Sequence, residues 1–100
     1  GYIISELLKS YVDEDKIKFW QDKNKHEVDI ILDGQKRIPI EVKYKIAIKN
    51  EDFIGINAFL KEYPKVKKGY LINFGSQKKI NKINILLPFI LCTEIKKSWH

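Results

Sequence analysis

One hundred residues with 44% hydrophobic and 12% aromatic content suffice for one domain, residues 1–100, with a single modest core. The longest apolar run, residues 85–92, is broken by Pro88 and falls far short of the roughly 18 residues of a membrane span; no secretory signal is visible, and one cysteine, Cys92, allows no intrachain disulfide. A cytoplasmic setting without a membrane partner is expected, and 19 basic against 13 acidic residues, a formal net charge of +6, favour an anionic partner such as nucleic acid, although lysine richness by itself explains the excess equally well.

Ile3, Ile4, Leu7, Leu8 and Tyr11 fall on one helical stripe, which predicts an amphipathic helix over residues 2–12 whose abrupt start reads as a piece of something longer. KIKFWQ, from Lys16 to Gln21, reads as a first strand between the acidic turn VDEDK and the turn DKNK. A hairpin follows from His26 to Tyr44, HEVDIILDGQKRIPIEVKY. Val28, Ile30 and Leu32 alternate there with Glu27, Asp29 and Ile31, and Ile38, Ile40, Val42 and Tyr44 alternate with Pro39, Glu41 and Lys43. From Asn50 the period lengthens, and Phe53, Ile56, Phe59, Leu60 and Tyr63 mark a second helix closed by Pro64. KGYLINF (Lys68 to Phe74) and KINILL (Lys82 to Leu87) read as two more strands, with Gly75 and Ser76 opening the turn between them. Pro88 to Trp99 closes the chain as a helix, with Pro88 suited to a first turn. The expected order is αβββαββα, an α/β fold.

Centring the hairpin turn on Gln35 pairs Leu32 with Ile38, Ile30 with Ile40 and Val28 with Val42. The same register sets Asp29 opposite Glu41 and Glu27 opposite Lys43. Carboxylates opposed at about 5 Å repel, so the pair predicts a positive group between them, and a divalent cation suits it. Phosphodiester cleavage needs such a metal, an activated water and positive charge against the transition-state oxygens. Asp29 and Glu41, with the carbonyl of Val42, could supply ligands for Mg²⁺. Lys43 projects from the same face as Glu41 and could position the water or offset phosphate charge, held by Glu27 behind it. Without function, the same residues form a solvent-exposed sheet face with a Glu27–Lys43 pair worth a few tenths of a kcal/mol.

Lys65, Lys67 and Lys68, with Lys78, Lys79 and Lys82, could track nucleic-acid phosphates near the strand ends, or be solvated loop charges. Phe19, Trp20 and Trp99 read as core rather than as base-stacking residues. His26, His100 and Cys92 lack zinc-site spacing, and no G-x-x-x-x-G-K-[ST] phosphate-binding loop is present.

Asp29, followed by the IEVKY stretch that holds Glu41 and Lys43, on strands between a first and a covering helix, resembles the PD-(D/E)XK nuclease superfamily. FWQDKNKHEVDIIL, PIEVKY and FLKEYPKVKKGYLIN are similar, in that order and over nearly the whole chain, to the uncharacterised C-terminal domain fused to many archaeal and bacterial AAA+ ATPases. The resemblance implies a restriction-endonuclease-like sandwich, a central mixed five-stranded sheet flanked by helices. It implies Asp29, Glu41 and Lys43 at the metal-binding and catalytic positions, Mg²⁺ or Mn²⁺ as cofactor, DNA as substrate and an ATPase upstream in the same polypeptide, with a second copy of the chain as a further candidate partner. The superfamily commonly adds a first-helix glutamate, and the ATPase-linked group often reads G-x-L-F-E-N there. Setting Ile3 and Ile4 against L-F puts Ser5 at that glutamate and Glu6 one residue, about 100° of helix, late. Either Glu6 reaches the site from a shifted helix, or the ligand is missing and the domain is an inert module that binds DNA or a protein for its ATPase.

Overall fold

Strands rich in Ile, Val and Leu take both sides of one sheet out of water here, because helices pack on each face. The computed structural model describes residues 2–99. In chain order it contains α1 (Tyr2–Leu8), β1 (Ile17–Gln21), β2 (Glu27–Asp33), β3 (Arg37–Val42), α2 (Ile54–Glu62), β4 (Gly69–Ile72), β5 (Lys78–Ile80), β6 (Ile83–Leu86) and α3 (Pro88–Ser98). Single 3₁₀ turns at Glu14–Lys16 and Asn50–Phe53 lead into β1 and α2. The strands form one mixed sheet in the order β1-β2-β3-β4-β6-β5. β1, β2 and β3 are an antiparallel meander, β3, β4 and β6 run parallel, and β5 returns antiparallel to β6.

The α/β expectation therefore holds with six strands in place of five. β5 is three exposed residues, Lys-Lys-Ile, with no apolar alternation to announce it; it turns into β6 through Asn81 at a left-handed φ of 53° that asparagine tolerates. α1 ends at Leu8, short of the expected residue 12, although Val12 is still buried.

Two cores flank the sheet. α1 and α3 lay Ile4, Leu8, Leu91 and Ile95 on Ile30, Leu32, Ile38, Ile40, Val42, Tyr70 and Ile72. α2 lays Phe59 on Val28 and Ile31, and Ile56 on Leu71, Ile83 and Ile85. Val28 was expected beside Ile30 and Leu32, and it faces the other way. The cause is a bulge: Lys18 pairs with Ile31 but Trp20 with Val28, so two steps along β1 meet three along β2 at Asp29 and Ile30. One extra residue reverses the alternation for Val28, which joins Ile31 under α2. Among the described residues no helix is long and apolar enough to cross a membrane.

Candidate active site

The bulge falls on Asp29, one of the two opposed acids. The β2–β3 ladder follows the expected register, Leu32 with Ile38 and Ile30 with Ile40. One step beyond, side chains replace the backbone bridges. The Asp29 N–H donates to Glu41 Oε1 at 3.2 Å, and the Val42 N–H donates to Asp29 Oδ2 at 2.9 Å. Each carboxylate thus satisfies a strand amide that would otherwise lack a partner, which holds the two acids together despite their charge.

α2 closes over them. A Cβ placed on Gly55, in the first turn of α2, would fall 1.9 Å from the Glu27 carbonyl oxygen and 3.2 Å from Glu41 Oε2, so only glycine lets the helix come this close. Beneath it Glu41 is 6% exposed, while Asp29 remains open to solvent. Burial, then the hydrogen bond and charge of Asp29, push the Glu41 carboxyl up to about 8, against the opposing pull of Lys43. Glu41 therefore holds its proton to higher pH than an ordinary carboxyl does.

Lys43 continues the pairing of β3 with β4 through its N–H, which donates to the Ile72 carbonyl at 2.8 Å. Its half-exposed ammonium acts electrostatically on both Glu41 and Asp52. Sequence reasoning passed over Asp52. It is buried, accepts from the Lys49 N–H at 2.8 Å and from Lys45 Nζ at 3.0 Å, and fixes the turn that leads α2 onto the acids. The Lys49 N–H, followed by Lys45, holds its carboxyl below the usual range. An acid in the first turn ahead of an apolar helix was the available signal.

Glu6 does not join this group. α1 packs on the opposite face of the sheet, and Glu6 sits exposed beside Lys9 at 3.2 Å. Among the described residues no three His, Cys, Asp or Glu side chains converge. Glu27, expected behind Lys43, instead accepts from Gln21 Nε2 of β1 at 3.0 Å, its cross-strand neighbour. Lys65, Lys67 and Lys68 line the loop between α2 and β4, whereas Lys78 and Lys79 lie on the edge strand β5, beyond β4 and β6. Trp20 packs edge-on against Phe59 at 5.2 Å, and Trp99 packs against the α1–α3 core, but Phe19, expected inside, is 58% exposed. His26 pairs with Asp22 at 2.8 Å, and His100 lies outside the described residues.

The donor set suits a hard cation. Mg²⁺ is commonly held by one or two carboxylates and keeps several waters. Asp29 and Glu41 each use one oxygen on a backbone amide and leave the other, Oδ1 and Oε2, outside those two bonds.

No curated protein and no solved structure matches the chain. One family model does, over residues 1–91, from α1 into the first turn of α3, and so spans both acids, Lys43 and every strand of the sheet. The chain belongs to that family, described as a domain of unknown function (DUF4143).

Proposed function

We propose that this is a nuclease-fold domain of the PD-(D/E)XK type, which hydrolyses DNA phosphodiesters with Mg²⁺ or Mn²⁺ held by Asp29 and Glu41. The interlock of the two carboxylates at the end of the β2–β3 ladder carries this reading, because it brings two acids together at one strand end with an oxygen of each left over for a cation. The mixed sheet with helices on both faces agrees with a restriction-endonuclease-like sandwich. A cation bound there would supply positive charge against the phosphate oxygens as negative charge builds on them. Lys43 adds a second positive charge at the same strand end, and Val42 anchors Asp29 through its N–H. Glu41 must release its proton before it can bind a cation, so cation affinity should rise with pH up to about 8. The similarity to the ATPase-linked stretches adds an ATPase upstream in the same polypeptide.

A second reading has its own observation. With Glu41 buried under Gly55 and Glu6 on the far face, two acids alone meet among the described residues, which suits an inert module that binds DNA or a protein for its ATPase. Incubation with supercoiled, linear and branched DNA and Mg²⁺ or Mn²⁺ separates the two. Hydrolysis should occur with the native protein, vanish in Asp29→Ala, and drop on the order of a hundredfold or more in Lys43→Ala. Native protein and Asp29→Ala that are equally inactive yet bind DNA equally well would establish the inert module instead.

A further inference from the structure

At the opposite end of α2 from the acids, the hairpin turn and the α2–β4 loop enclose a groove of about 660 Å³. Five cationic side chains line it, Lys36 and Arg37 from the hairpin and Lys65, Lys67 and Lys68 from the loop, against one acid, Glu62. Arg37 pairs with Asp33 at 3.4 Å. The four lysines have no ion-pair partner among the described residues. The loop backbone that carries three of them is held in place. The Lys82 ammonium donates to the carbonyls of Pro64 at 2.9 Å and Val66 at 2.8 Å, which pins the loop with its lysines on the groove. A cluster of uncompensated lysines favours an anion that carries several charges along its length.

The floor narrows the choice. Tyr63, Pro64 and Val66 make it apolar, and Arg37 lies over the Tyr63 ring at 4.9 Å. A duplex would offer this floor only sugars and phosphates, whereas an unpaired strand offers base faces, which gain from aromatic and guanidinium surfaces. The groove and Glu41 lie on the α2 side of the sheet, about 10 Å apart along α2 from Glu62 to Gly55. Along β3 the separation from Arg37 to Glu41 is about 13 Å. Either path spans roughly three to four nucleotides of stacked strand.

We infer that this groove binds single-stranded nucleic acid, with phosphates against Lys36, Lys65, Lys67 and Lys68 and bases against the Arg37–Tyr63 pair, as an anchoring site separate from the acid pair. Choosing a nucleic acid over an acidic peptide rests on the nuclease reading above; binding itself requires no hydrolysis. The test is fluorescence anisotropy with a labelled oligothymidine of about 15 nucleotides, in chelator, across a salt series. With four lysines engaged on phosphates, log K should fall against log salt with a slope of about −2.8. Lys65→Ala/Lys67→Ala/Lys68→Ala should weaken binding at least about tenfold and flatten the slope to about −0.7. Lys36→Ala/Arg37→Ala, at the other wall, should weaken it independently, with thermal melts confirming that both variants fold. Lys96→Ala, exposed on α3 at the opposite face of the sheet, should bind as the native protein does. Native affinity and slope in both groove variants would overturn the assignment. So would tighter binding of a duplex of equal length, or capture of a glutamate-rich peptide with no affinity for the oligonucleotide. Absence of cleavage with Mg²⁺ while the groove effects persist would remove the nuclease reading and leave the anchoring site standing.

Discussion

Glu41 shows how two neighbouring groups set the behaviour of one carboxyl. Gly55 keeps water from it and Asp29 adds negative charge, so the folded protein binds its proton far more tightly than the unfolded chain, whose carboxyl titrates near 4.5. The sign follows from linkage. Between pH 4.5 and about 8 the folded state holds the extra proton, so the contribution of Glu41 is complete at the acid end and is lost as pH rises through that window. Glu41→Gln keeps an oxygen for the Asp29 N–H and carries no charge, so its melting temperature should lack this decline. At about pH 8 to 9 it should melt above the native protein by about 4–8 °C, the shift that about 1 kcal/mol produces in a domain of this size. Thermal melts followed by circular dichroism across this range decide it, and parallel curves for the two proteins would remove the shared proton from the account. Added Mg²⁺ should raise the melting temperature of the native protein more at the alkaline end, and leave Asp29→Ala unmoved.

α2 acts as the lid over that pair, and its glycine sets its height. Gly55→Ala would drive a methyl into the Glu27 carbonyl, a backbone atom that cannot swing aside. The helix must lift, at a cost of about 2–3 kcal/mol by analogy with overpacked cores. Urea unfolding of Gly55→Ala should show that loss, and Glu41 should then titrate closer to its ordinary value because water reaches it; unchanged stability would mean that the close approach is not maintained in solution. The sequence announces this helix through Ile56, Phe59 and Tyr63 at a helical repeat, and the hairpin through strict alternation from Ile38 to Val42. It does not announce the bulge at Asp29 and Ile30. A bulge leaves the run of residue types unchanged and appears only when β2 is matched against β1, as the reversed facing of Val28 shows. β5 escapes for another reason: Lys78, Lys79 and Ile80 gain strand geometry from β6 alone.

Across the whole molecule, the sheet is the layer on which both cores depend. Leu71, in β4 at the middle of the sheet, is 0% exposed under α2. Leu71→Ala should cost about 2–5 kcal/mol, a large part of the stability of a domain of this size, and chemical denaturation should record it as a lower midpoint with little change in slope. A cost below about 0.5 kcal/mol would contradict this packing. The sequence alone determined which segments other than β5 are strands and helices, and the hairpin register that makes Asp29 and Glu41 neighbours, because side-chain periods of 2 and 3.6 are local properties of the chain. Only the tertiary structure decided that Glu41 is buried, that Glu27 turns to Gln21, that Glu6 lies on the far face, and that Lys36 and Arg37 meet Lys65, Lys67 and Lys68 across one groove. Those outcomes follow from how elements distant along the chain pack and shift register against one another, and no local repeat of residues encodes that.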